Sequence, residues 1–504
     1  MSQSQNLKFQ NRATRPQADT FLHEDADEVP LCEIIAVTDH DRCGEHAVDR
    51  GGYRDSLHGV TSETAALAIS RLDAPHSSKT MSNIVTRRQF VNQGALGLMS
   101  AVLPVGTALT AAAGAPSGDD GEIRSVCESV LAYLLRVQDF KAGEYHGSFW
   151  SEKAYHGPLL DYHAGGSHHH RSAGSAALAL WLIGQKRNDA DLKRRAEAAF
   201  DWLAARQRPS GGYLEIQNNE KPSDWERTGL EECSTIETAF VARGLGHALL
   251  LGLPPKKLYS DCLQRAGLWQ LGIEWPPGSG VFPHHERSPH DTLNANLHAA
   301  ETLMAAFKTS EIVFQRPVNI FQQGARRGVL HTLTQQAENG SFPYRSTGGS
   351  TINYTSLVLW CLLNIHDLLR DPMQPGAGRD LQLDAAAARR IAAFAPPDAL
   401  RKAFDAATGF LRGCVDADGG LLWEKNETST ARHNLWTYVI TYNVLRRIGG
   451  ERNTEAASRL LKAILGKRTK SGLLPMRDRG EEITECAYMQ ADMLLFLLPF
   501  SRLV

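Results

Sequence analysis

Gln336-Ala337-Glu338-Asn339-Gly340-Ser341-Phe342-Pro343 decides how the chain is read, because its plan returns along the sequence. The matching turns are Gly147-Ser148-Phe149-Trp150, Gly211-Gly212-Tyr213, Gly280-Val281-Phe282-Pro283, Gly419-Gly420-Leu421-Leu422-Trp423 and Gly472-Leu473-Leu474-Pro475. Taken at Gly147, Gly212, Gly280, Gly340, Gly420 and Gly472, the gaps are 65, 68, 60, 80 and 52 residues. Recurrence on that scale is the signature of a repeat architecture.

Two kinds of helical segment alternate around these turns. Apolar ones run near 170–184, 234–251, 292–308, 351–369, 431–448 and 484–498. Amphipathic ones run near 121–138, 188–207, 256–271, 318–337, 397–414 and 453–467. Leu357-Val358-Leu359-Trp360-Cys361-Leu362-Leu363 is apolar nearly all round, as a buried helix should be, whereas Arg194 to Leu203 keeps its charge on one face. Six such pairs predict an all-α chain, with one (α/α)6 toroid over residues 119–504. The apolar helices form its inner ring and the amphipathic ones its half-solvated outer ring.

The turns at Gln336 and at Gln207-Arg208-Pro209-Ser210-Gly211-Gly212-Tyr213 resemble the Gln-x3-Gly-x-aromatic turns of terpenoid-cyclase and prenyltransferase toroids. They are also similar to turns in toroidal polysaccharide lyases and uronate epimerases. The resemblance implies a six-hairpin fold and leaves the activity open. Val415-Asp416-Ala417-Asp418-Gly419 departs from the acid motif of a cyclase, which argues against protonation-driven terpene cyclisation.

Composition is that of a globular protein, and the length alone allows one large domain or two to three ordinary ones. The 504 residues are 42% hydrophobic and 22% charged, with a net charge of −2. That balance offers no basic stripe for a nucleic acid partner. The 8 cysteines include no CxxC pair, which disfavours a zinc ribbon or a disulfide scaffold.

Before the repeats, residues 1–80 show no lasting period and read as a disordered extension. Residues 81–118 contain Thr86-Arg87-Arg88-Gln89-Phe90-Val91, a mildly apolar stretch and Ala111-Ala112-Ala113. The segment resembles a bacterial twin-arginine export signal, which implies the Tat translocon as a partner and a periplasmic or secreted destination. Its Gly and Pro content argues against a stable membrane span. A signal that starts at Met81 also suggests Met81, rather than Met1, as the biological start.

In a toroid of this kind, the starts of the inner helices converge at one mouth. Those starts carry His170 and Arg171; Glu237; Asn294 and His298; Asn353 and Tyr354; Arg432, His433 and Asn434; and Glu485. This His, Asn, Tyr and Arg mixture suits proton abstraction beside a carboxylate. A uronate C5 proton is removed by a base once its carboxylate is neutralised, and an acid then protonates the leaving oxygen. His433 or His298 is the candidate base and Tyr354 the candidate acid. Asn294, Asn353, Asn434 and Arg432 are placed at the carboxylate, with His170, Arg171, Glu237 and Glu485 as further substrate contacts. The expected activity is therefore lyase- or epimerase-like, on a uronate-containing polysaccharide. A glycoside hydrolase using paired carboxylates and a non-catalytic glycan- or lipid-binding toroid are the alternatives. No cofactor is expected, and no metal either: the run His168-His169-His170 cannot aim three rings at one ion, and its spacing matches no helical ligand pair.

Overall fold

The computed structural model describes residues 118–151, 167–214, 232–286, 292–345, 352–370, 385–421, 435–478, 481–484 and 486–504. The extension at 1–80 and the export signal at 81–118 lie outside the described residues, save Gly118, which begins the first helix.

Six inner helices form the wall of a central barrel. They are His170–Arg187 (α2), Thr235–Leu250 (α4), Leu293–Ile312 (α6), Ile352–Arg370 (α8), Leu435–Ile448 (α11) and Ala487–Leu497 (α13). Around them stand Gly118–Val137 (α1), Ala190–Arg206 (α3), Lys257–Gly272 (α5), Asn319–Thr334 (α7), Pro397–Cys414 (α10) and Glu451–Gly466 (α12). Each inner helix packs on the next, and α13 returns to pack on both α2 and α1, so the ring is closed. Every residue of α4 is buried. By contrast, α12 buries Ala456, Ala457, Leu460, Leu461 and Ile464, one stripe at helical spacing. A further helix, Ala385–Phe394 (α9), packs on α8 and was not visible as a periodic segment.

The recurring turns are the joints between hairpins. Gly340 takes φ +89°, and a Cβ there would lie 2.3 Å from the Ala406 carbonyl oxygen of α10, so only glycine fits. Gln336 completes this joint by donating from Nε2 to the carbonyls of Gly340 (2.9 Å) and Ala403 (3.0 Å). Gln207 does the same for Gly211 (2.7 Å) and Cys262 of α5 (2.8 Å). In the third turn Glu274 substitutes, accepting from the Gly280 amide at 2.8 Å and pairing with Arg327 of α7. The apolar residue after the glycine is held from the inner ring. Backbone amides of Tyr213, Phe282, Phe342 and Leu421 donate to Thr238, Asn296, Thr355 and Tyr438, each the fourth residue of its helix.

The two ends of the barrel differ. Inner helices run directly into outer ones at the closed end, for example α2 into α3 and α11 into α12. Long segments lead back to the inner-helix starts at the mouth. They include three antiparallel ribbons: Trp150–Ser151 (β1) with Ser167–His168 (β2), Tyr213–Leu214 (β3) with Cys233–Ser234 (β4), and Met476–Asp478 (β5) with Glu481–Ile483 (β6). Among the described residues no helix is long and apolar enough to cross a membrane.

Candidate functional site

Charged side chains inside the inner ring must find partners there, since an unpaired buried charge is very costly. The upper tier is built on Arg171, at the start of α2. Its Nε donates to Oδ2 of Asp492 on α13 at 2.9 Å, and Nη2 reaches the same oxygen. Asp492 also accepts from Ser175 Oγ at 2.7 Å and from Trp436 Nε1 at 3.2 Å. The Arg171 amide donates to Glu237 Oε2 of α4 at 2.8 Å. This approach is close because Gly174 and Gly244 face each other, leaving no room for a Cβ between α2 and α4.

Below lies an aromatic layer of Phe240, Trp360, Trp436 and Phe496, from α4, α8, α11 and α13. The Arg171 guanidinium covers the Phe240 ring at 4.2 Å, and Arg243 lies 3.9 Å from the same ring centre and 4.2 Å from that of Trp360. From α6, His298 fills the remaining place beside Phe240, with ring centres 5.3 Å apart. Its Nδ1 is 3.6 Å from Cys361 Sγ. Glu301, one turn further along α6, accepts from Arg243 Nη1 at 3.4 Å and from Asn364 Nδ2 at 2.9 Å. All six inner helices therefore meet in one buried polar and aromatic network.

The electrostatics follow from burial. His298 is held well below the ordinary histidine value, first by desolvation and then by the Arg243 and Arg171 charges. It is therefore a neutral imidazole at pH 7. His284, at the mouth, is lowered in the same way, with His285 and His298 adding to desolvation. Burial pushes the Glu301 carboxyl up, against the opposing pull of Arg243. It also pushes the Cys361 thiol well up. Asn294 Oδ1 and His284 Nε2 are buried without a hydrogen-bond partner among the described residues.

Ligand atoms of His298, Glu301 and Cys361 lie within 4.8 Å of one another. They suit a metal ion poorly, because Glu301 already serves Arg243 and Asn364, and a cation would sit beside the Arg243 guanidinium.

Of the residues expected from sequence, Arg171, Glu237 and His298 come together in this network. Asn294 is buried one turn before His298 on α6. Tyr354 is half-buried and its ring lies tilted against that of Tyr344, with centres 4.3 Å apart, while Asn353 accepts from Thr437 at 3.2 Å. His170 turns away from the network. It packs between Trp202 and Tyr213 and binds the Leu214 carbonyl through Nδ1 at 2.9 Å. Arg432, His433, Asn434 and Glu485 lie outside the described residues. Arg243, Glu301, Trp360 and Cys361 were missed as site residues. Arg243 and Glu301 could have been found as charges embedded in otherwise apolar segments.

Solved structures share this fold. A D-mannose isomerase superposes with a TM-score of 0.55 at 14% identity, over 78% of this chain and 100% of that one. Cellobiose 2-epimerase from Bacillus thermoamylovorans B4167 gives 0.53 at 13% identity, over 76% and 99%. An unsaturated glucuronyl hydrolase specific for heparin gives 0.51 at 10% identity, over 76% and 98%. The chain is an (α/α)6 toroid. Identities this low carry the toroid fold and not its activity. No family model and no curated protein matches the sequence.

Proposed function

We propose that this toroid is a carbohydrate-active enzyme that removes a proton from a sugar carbon, in an epimerase-, isomerase- or lyase-like reaction. The observation that carries the reading is His298: a buried imidazole, neutral at pH 7, within the fields of the Arg243 and Arg171 guanidinium groups. A general base must be unprotonated, and the anion it creates needs positive charge beside it. Nδ1 is engaged with Cys361, which leaves Nε2 for the substrate. Arg171 supplies charge at the mouth side, and the unmet polar atoms of Asn294 and His284 suit sugar hydroxyls. The carbon attacked is C5 of a uronate, or C2 of a reducing aldose as the names of the isomerase and epimerase relatives suggest. Both are acidified by a neighbouring carbonyl or carboxylate. A hydrolase is the weaker reading, because Asp492 and Glu301 are both held by arginines rather than free to serve as acid and base. The twin-arginine segment at 81–118 adds export of the folded toroid to the periplasm or the medium.

The test is solvent deuterium uptake. The protein is incubated in D2O with uronate-containing oligosaccharides and reducing sugars, and proton NMR reads C5 and C2. Uptake at either carbon, or for a lyase loss of the C5 proton to a C4–C5 double bond, is expected, with His298→Gln lowering it about 10²–10⁴-fold. New reducing ends with neither deuterium uptake nor the C4–C5 double bond of an unsaturated uronate would establish the hydrolase instead.

A further inference from the structure

Beneath the aromatic layer is a second polar tier that the proposed chemistry does not use in full. Glu301 accepts from Arg243 and Asn364; Asn364 Oδ1 accepts from Arg447 Nη1 at 2.7 Å; and Arg447 Nη2 reaches Asp367 Oδ2 at 2.8 Å. This chain of contacts crosses from α4 through α6 and α8 to α11, so Arg243 and Arg447 stand on one continuous network. His247 lies one turn below Arg243 on α4, within the fields of Arg243, Asp367 and Arg447.

Three nitrogens at this level have no hydrogen-bond partner among the described residues: Arg243 Nη2, Arg447 Nε and His247 Nε2. Their residues are only 2%, 6% and 5% exposed, so bulk water does not satisfy them. Buried donors are nearly always partnered, and a guanidinium can only donate. The unmet demand is therefore for an acceptor. A cation would face two guanidinium groups, whereas an anion would meet two charged donors and an imidazole that can present Nε2–H.

We propose that the closed end of the toroid contains a buried binding site for one small monovalent anion, of chloride size, between Arg243, Arg447 and His247. Each arginine keeps its carboxylate partner, and the anion takes the N–H that the carboxylate leaves over. Desolvation and the two arginines bring the free His247 down to about 4. An anion among these groups opposes that shift and raises it.

Bromide is the probe, applied to the full chain in chloride-free gluconate buffer at constant ionic strength. The unfolding midpoint should rise with bromide and saturate, as binding to the native state alone requires. Crystals grown in bromide should show an anomalous peak within hydrogen-bond distance of Arg243 Nη2 and Arg447 Nε. His247→Phe and Arg447→Met should flatten the titration. If Arg447→Met does not fold, His247→Phe and the crystal decide. Water or a side chain in that place, an unsaturable midpoint, or an unchanged titration in His247→Phe would overturn the proposal.

Discussion

His298 is a base because of its neighbours, since a histidine in water would be partly protonated near pH 6.5. Desolvation, Arg243 and Arg171 all disfavour its charged form, so protonation needs more acid than usual. The acidic limb of kcat/KM should therefore lie below pH 6.5, and a limb above that value would remove His298 as the base. The same physics governs stability. His170 and His247 are both lowered to about 4, and His298 lies well below its ordinary value. Below pH 6.5 the unfolded chain binds protons that the native chain refuses, so stability falls as pH drops from 6.5 toward 4. Glu301 acts in the opposite direction, because its raised carboxyl removes stability as pH rises past its ordinary 4.5. Urea titrations across that window should show the midpoint falling on acidification while the fold is still native at its start. At this scale the sequence was partly legible. Arg171, Glu237 and His298 stood out as polar groups at helix starts. Arg243 and Glu301 did not, because mid-helix charges reveal a partner only when the neighbouring helix is in place.

Helices were the most legible elements, and the turn glycines show why. Twelve segments expected from periodicity match twelve helices, because each inner helix is apolar all round and each outer one on a single face. The turn supplied more than a chain reversal: its Gln or Glu and its glycine clasp the next outer helix, which spacing alone does not reveal. In two of the six turns the positive φ belongs to the glycine before the one marked, Gly211 and Gly419. Gly340→Ala forces a Cβ into the Ala406 carbonyl at positive φ, and should cost about 1–3 kcal/mol. Gly409→Ala, on α10 beside the same joint, meets only the end of Arg412 at 3.7 Å. It should stabilise the protein by about 0.4–1 kcal/mol. Chemical denaturation of the two variants checks both signs, and equal effects would refute the joint.

The toroid as a whole is closed by contacts between residues at opposite ends of the sequence. Gly472 packs against Ser129 of α1, the Ala487 amide donates to Ser151 Oγ at 3.0 Å, and α13 lies along α2. Across that seam runs the Arg171–Asp492 pair, so one buried ion pair both closes the ring and walls the proposed site. Those two roles can be separated. Asp492→Leu or Arg171→Met alone strands a buried charge and should remove about 3–5 kcal/mol. The double variant strands none, and replacing a buried pair with apolar side chains of similar size is often neutral or stabilising. Arg171→Met/Asp492→Leu should therefore recover most of the stability lost by either single variant, with α1, α2 and α13 regaining hydrogen-exchange protection together. Deuterium transfer to sugar should stay lowered, because the Arg171 charge on the mouth side of His298 is gone and only Arg243 remains. Recovery of both stability and transfer would show that the pair only closes the ring.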